Sequence, residues 1–189
     1  MRKLVYYVAS TLDGFIAAPD GSADFFPLEP DVAEHLVARW PQAFPTVAHE
    51  RFGIDRPEGR FDAVVMGRRT YDPALRIGVT SPYRHLRQYV FSRTLPPADH
   101  PDVEIVDADP VPFVRDLKRR PGRDIWLCGG GALAGDLLPE VDELVLKLNP
   151  IVVGEGVPLA ARGFDPHRFR MVETHPFASG VVILHYARF

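Results

Sequence analysis

Short apolar runs alternate along this chain with stretches whose apolar residues recur every three or four positions. Residues 4–9, 63–66, 89–91, 103–106, 125–127, 144–148, 169–174 and 181–186 are compact apolar runs, the pattern of buried β-strands. Between them, Val32, Leu36, Val37 and Trp40 form a helical stripe over residues 32–40. Residues 111–119 predict a second helix, with Pro112 tolerated in its first turn and Val114 and Leu117 on one face. A third helix follows a triple glycine and carries Leu133, Leu137 and Leu138 up to Pro139. Such alternation predicts an α/β fold: a mixed, mostly parallel central sheet of about eight strands flanked by helices on both faces. The last two strands are joined only by residues 176–180, which predicts a C-terminal antiparallel hairpin. Residues 41–60, punctuated by Pro45, Gly53, Pro57 and Gly59, read as a long surface excursion. The 19 prolines are dispersed and no repeat occurs, so residues 1–189 read as one domain.

Composition narrows the class. With 189 residues, 46% of them hydrophobic, and 12 Phe and 6 Tyr, the chain can fill a substantial core. A formal net charge of -3 argues against a nucleic-acid partner, which would require a concentrated basic face. The cluster Lys118, Arg119, Arg120 and Arg123 sits where a predicted helix ends and is expected to complement its dipole and stay solvated. The lone Cys128 excludes an intrachain disulfide and points to a reducing, cytoplasmic setting. Arg2 and Lys3 precede an apolar run that soon meets Asp13 and Gly14, so a first strand is expected there rather than a leader peptide. No run approaches the roughly 18 apolar residues of a membrane span. The seven histidines are scattered without ligand spacing, so no metal is expected.

Three strand ends carry candidate chemistry. The run Cys128, Gly129, Gly130, Gly131, Ala132, Leu133 lets the backbone approach an anion closely where a strand gives way to a helix. At Gly67, Arg68, Arg69 and Thr70 another strand ends with two cations in the first turn of a helix, an unfavourable placement unless an anion binds. Ser92, Arg93 and Thr94 close a third strand. In a parallel sheet the carboxyl ends of strands share the edge where ligands bind. The triple glycine also spells a G-x-G-x-x-A dinucleotide fingerprint, but no acidic residue ends a strand about 20 residues later, so that match is set aside.

The order and spacing of these segments resemble the dihydrofolate reductase-like proteins, in particular the branch that includes the riboflavin biosynthesis reductases. The resemblance begins at Val8-Ala9-Ser10-Thr11-Leu12-Asp13-Gly14-Phe15-Ile16-Ala17 and continues through Met66-Gly67-Arg68-Arg69-Thr70-Tyr71, Phe91-Ser92-Arg93-Thr94 and the triple glycine. The tail, from Asp142-Glu143-Leu144 to Pro150-Ile151-Val152-Val153-Gly154-Glu155-Gly156-Val157-Pro158-Leu159, is similar to the riboflavin-type branch rather than to folate reductases proper. The resemblance implies a dihydrofolate reductase-like fold, an NADPH cofactor and hydride transfer to a small heterocyclic substrate of the 5-amino-6-(5-phosphoribosylamino)uracil type. It implies cofactor contacts from Ala9, Ile16, Gly67, Arg68, Arg69, Thr70, Ser92, Arg93, Gly129, Gly130, Gly131, Ala132 and Leu133. It further implies a cis peptide between two of the glycines, a small-molecule substrate as the partner, and a homodimer.

Folate reductases place a substrate-contacting acid early in the helix after the first loop. Asp31 is the counterpart by position and the candidate catalytic residue, although Pro30-Asp31 also suits a simple first-turn acid. Lys147 interrupts an apolar strand and faces either solvent, the simpler reading, or the substrate cleft. The rival to a reductase is a non-catalytic small-ligand-binding protein that retains the fold.

Overall fold

The computed structural model describes residues 1–55 and 57–189. Among the described residues ten strands form: β1 Leu4–Ser10, β2 Phe15–Ala17, β3 Phe61–Gly67, β4 Arg87–Phe91, β5 Val103–Val106, β6 Asp124–Gly129, β7 Glu143–Leu148, β8 Val157–Pro158, β9 Phe169–Pro176 and β10 Val182–Arg188. The helices are α1 Pro30–Arg39, α2 His49–Phe52, α3 Arg68–Arg76, α4 Pro110–Arg119 and α5 Gly131–Leu137. Eight strands make one sheet in the order β5-β4-β3-β6-β1-β7-β10-β9, and β2 pairs with β8 apart from it. Six neighbouring strands, β5 through β7, run parallel. The C-terminal hairpin then adds antiparallel through β10.

Strand alternation explains why both faces are covered. On β1, Val5 and Tyr7 pack with Val32 and Leu36 of α1 and Tyr71 of α3, whereas Leu4 and Tyr6 pack with Val114 and Leu117 of α4 and Leu133 and Leu137 of α5. On β6, Trp126 joins the first group and Ile125 and Leu127 the second. The mixed, mostly parallel sheet with helices on both faces and an antiparallel hairpin is therefore the fold anticipated from the apolar pattern.

Two expectations change. Residues 41–60 are not a surface excursion: they carry two 3-10 turns, Pro41–Ala43 and Thr46–Ala48, and then α2. Gln42, Phe44 and Ile54 are buried, because apolar side chains between the prolines pin each short turn to the core. Arg56 of this segment lies outside the described residues. The short pair β2 and β8 escaped the pattern, three and two residues being too few to show a period. Among the described residues no helix is long and apolar enough to cross a membrane.

The opposite, amino-terminal edge of the sheet is held by charge. Glu143, at the start of β7 and 7% exposed at its side chain, meets Lys3 at 2.7 Å, Arg60 at 2.7 Å and His185 at 2.7 Å. Arg60 also meets Asp124 at 2.8 Å, Lys118 meets Asp142 at 2.6 Å, and Arg2 pairs with Asp62. These pairs tie the starts of β1, β3, β6 and β7 and leave the carboxyl edge for other work.

Candidate functional site

At the carboxyl edge the strand ends open into a cleft of about 1260 Å³. Pockets for a single small ligand run to about 300–1,000 Å³, so this cleft has room for two molecules side by side. Ala9 and Ile16, Gly67, Arg68, Arg69 and Thr70, Ser92 and Arg93, and the run from Gly129 to Leu133 all line it. The structure brings together every one of the thirteen residues that the resemblance assigned to a cofactor.

The glycines are required by geometry at specific points. Gly130 has φ of +98°, and a Cβ there would stand 3.3 Å from the Thr70 hydroxyl and 3.8 Å from the Gly67 nitrogen. A Cβ on Gly131 would meet the Pro158 carbonyl oxygen at 2.4 Å, well inside contact distance. The run is therefore wedged between α3 and the segment carrying β8, with its backbone open to the cleft. The expected cis glycine peptide is corrected: no peptide bond among the described residues is cis, and the chain reverses through Gly129 and Gly130 at φ of +143° and +98°. Two successive glycines free of Cβ make that turn with trans bonds.

The arginines divide into held and free. Arg68 donates to the Thr94 hydroxyl and lies 3.5 Å from Asp72 one turn along α3. That carboxylate relieves the cation at the head of the helix. Arg69 and Arg93 are exposed into the cleft, and among the described residues neither has a carboxylate within 4.0 Å. Ser92 closes β4 as a turn, its Oγ accepting from the N–H groups of Thr94 at 3.2 Å and Leu95 at 3.0 Å. The three strand ends thus present two uncommitted guanidinium groups beside the glycines that line the cleft.

The other half of the cleft is aromatic. Tyr7 stacks on Trp40 at 5.3 Å and tilts against Trp126 at 6.3 Å, and Tyr83 meets Trp126 edge-on at 5.0 Å. Tyr7 and Trp126 reach the cleft together with Phe26, Leu28, Leu36 and Phe44. Cys128 forms part of the floor 3.8 Å from the Tyr83 hydroxyl; desolvation pushes its thiol up to about 12, so it is not a nucleophile at neutral pH. Tyr7 and Trp126 were missed in the sequence because alternate positions of an apolar strand look alike until the faces are assigned, and Phe26, Leu28 and Phe44 because they lie in connections that carry no period.

Asp31 does not join the site. It is exposed on the first turn of α1, its Oδ1 accepts from the N–H of Val32 at 2.9 Å, and it is absent from the cleft lining. Leu28, just before that helix, does line the cleft. Lys147 reverses the simpler expectation: it is 7% exposed and lines the cleft instead of facing solvent. The reason is its facing: Lys147 shares a face of β7 with Val145, which packs with Val32 and Leu36 of α1, and the segment before that helix covers it, with Phe26 and Pro27 against its ammonium.

A RibD C-terminal domain family model matches residues 2–183 of the chain. The uncharacterized protein YwjB of Bacillus subtilis (strain 168) is 30% identical over 189 residues, covering 99% of this chain and 98% of its own length. Among solved structures, a Shewanella sp. PV-4 protein named for riboflavin biosynthesis superposes with a TM-score of 0.74 at 25% identity, covering 100% of this chain and 99% of that one. Dihydrofolate reductase from Enterococcus faecalis, complexed with NADP(H), superposes with a TM-score of 0.67 at 16% identity, covering 98% of this chain and 96% of that one, which shows the shared fold.

Proposed function

The chain belongs to the RibD C-terminal domain family, and we propose that within it this protein is an NADPH-dependent reductase acting on a C=N or C=O bond of a small heterocyclic molecule. The observation that carries the reading is the pair of uncommitted guanidinium groups, Arg69 and Arg93, at the ends of adjacent strands β3 and β4. Unpaired arginines in a cleft call for an anion, and their planar forks suit phosphate. The remaining residues fit a dinucleotide: Gly129, Gly130 and Gly131 line the cleft where β6 gives way to α5, packed too closely on Thr70 and Pro158 at Gly130 and Gly131 to admit a Cβ, and the cleft continues past them to Ala9 and Ile16. Arg69, Arg93 and Ser92 would hold the extra phosphate, the glycines would lie along the pyrophosphate, and Ala9 and Ile16 would flank the nicotinamide.

When bound, NADPH supplies the hydride. The protein's own part is positioning: Tyr7, Trp126 and Phe26 offer flat apolar surfaces that can fix a planar ring against the cofactor side and exclude water from it. Asp31 is exposed on α1 and outside the cleft lining, so no part in proton delivery is assigned to it.

Titration of the purified protein with NADPH, followed by cofactor fluorescence and thermal melting, tests this directly. Ligand at one hundred times Kd stabilises by about 2.7 kcal/mol, a Tm rise of about 5–10 °C for a chain of this size. Absence of binding at micromolar NADPH would end the reductase reading. Arg93→Ala should weaken NADPH at least tenfold while changing NADH by less than threefold; equal losses for both would remove Arg93 from the 2′-phosphate.

A further inference from the structure

Lys147 is a buried cation without a counter-charge. It is the penultimate residue of β7, in register with Ala9 of β1 on one side and Ile183 of β10 on the other. Its Nζ donates to the backbone carbonyl of Pro27 at 3.1 Å and lies 5.9 Å from the centre of the Phe26 ring. No carboxylate of the described residues stands within 4.0 Å of it. An ammonium carries three N–H donors, and the protein supplies an acceptor for one. Burying a charge in this state is unfavourable unless something completes its shell, and desolvation accordingly lowers the pKa of Lys147.

The position of this charge separates it from the arginines. From β3, which leads into Arg68 and Arg69, the sheet order crosses β6 and β1 before reaching β7. Three interstrand steps amount to about 14 Å. The strand ends between are neutral, built from Trp126, Cys128, Ala9 and the glycines, and the carboxylates that line the cleft come from outside the sheet, Asp20 and Asp24 after β2 and Asp136 on α5, none of them within 4.0 Å of the Lys147 Nζ. The cleft therefore has two cationic ends: a paired-arginine end suited to phosphate, and a single-ammonium end walled by Tyr7, Phe26 and Leu36.

We propose that Lys147 is the substrate-recognising residue of the cleft and that the substrate is a flat conjugated molecule carrying one singly charged acidic group, a carboxylate or a ring-bound oxyanion, that binds its Nζ. This rests on the reductase reading for the identity of the other occupant. A phosphate dianion would demand several converging donors, as the arginine end provides; the lysine end provides one cation among aromatic walls. Recognition of this kind rejects the neutral isostere, because the ammonium would again be buried unpaired.

Calorimetric titration of the purified protein, with and without saturating NADPH, uses 2-naphthoate, 2-naphthamide and 2-naphthyl phosphate as probes. The carboxylate should bind at least tenfold more tightly than the amide and no more weakly than the phosphate, a comparison within the native protein that needs no variant. Lys147→Met should abolish the preference for carboxylate over amide, Lys147→Arg should retain it, and both should bind NADPH within threefold of the native protein. Equal affinity for carboxylate and amide, or a tenfold preference for the phosphate, would overturn the proposal, as would an undiminished preference in Lys147→Met. Because the carboxylate comparison is also made without cofactor, failure of NADPH to bind would end the reductase reading while leaving the Lys147 result standing or falling by itself.

Discussion

The glycines of the cleft are not equivalent, and substitution separates those whose space is taken from those whose space is open. At Gly131 a methyl group would press the Pro158 carbonyl oxygen at 2.4 Å, and that oxygen is backbone and cannot turn aside. Gly131→Ala should therefore destabilise by about 1–3 kcal/mol, the usual effect of overpacking, and should displace β8 from the cleft wall. Gly67 has φ of -81°, and its added Cβ would meet only the Leu133 Cβ at 3.9 Å, an ordinary contact. Gly67→Ala should stay within about 1 kcal/mol of the native protein, loss of a favourable cap offset by a less flexible unfolded chain. Urea unfolding of the two variants measures the contrast; equal losses would mean the glycine run is not wedged against residues 157–158. Cys128 supplies a residue-scale control, since a thiol raised to about 12 should react slowly with iodoacetamide at pH 7.5 in the folded protein and quickly after unfolding.

Elements were legible in the sequence to the extent that their environment is uniform. The inner parallel strands are covered on both faces and so appear as unbroken apolar runs, which is why β1, β3 and β6 could be located without knowing their neighbours. Glycines and arginines at strand ends were legible for the same local reason, because a strand end is marked where the run stops. Facing was not legible: whether Lys147 points into the cleft depends on which face of the sheet α1 and the segment before it cover, and its contact with Pro27 joins residues far apart in the chain. Segment 41–60 was misread because its prolines and glycines announce turns without saying that Phe44 and Ile54 are buried between them. The ionic edge was equally hidden, since Glu143 gains its meaning only when Lys3, Arg60 and His185 arrive from other elements. Desolvation of Glu143 opposes ionisation, but the bonds from His185, Lys3 and Arg60 outweigh it and hold the carboxyl well below the usual carboxylate range. A depressed acid contributes stability that is present above its unfolded value, about 4.3, and is lost as pH falls through the lower folded value. Glu143→Gln should thus cost about 2–4 kcal/mol at pH 7, at or below the range for a broken buried pair because Lys3 is 56% exposed at its side chain. The gap between variant and native protein should narrow steadily in urea titrations carried from pH 5 to pH 3. A gap that does not change with pH would show that packing, not charge, is the contribution of Glu143.

At the scale of the whole molecule the sheet divides labour between its edges, and exchange of backbone amides can show both halves of that division. Strands β6 and β1 lie at the centre with helices over both faces, so amides of Val5, Tyr6 and Leu127 should exchange only through global unfolding. Strand β9 lies at the end of the sheet, with Met171 and Val172 exposed at 53% and 48%, and its outer amides should open at several kcal/mol less. Those rates set a baseline against which the cleft is read. If one extended dinucleotide spans the carboxyl edge, NADPH must slow exchange together at three places far apart in the chain: the turn from Gly67 to Thr70, Ser92 with Arg93, and the run from Gly129 to Leu133. The protection at all three should follow a single binding curve, because one ligand bridges strands β4, β3 and β6 in the order they occupy in the sheet. Protection confined to the glycine run would describe a smaller phosphate ligand seated there and would dissolve the argument that joins the arginines to it. Protection that also spread uniformly into β9 would mark general stabilisation rather than contact, since β9 lies beyond β7 and β10 and touches none of the three strand ends.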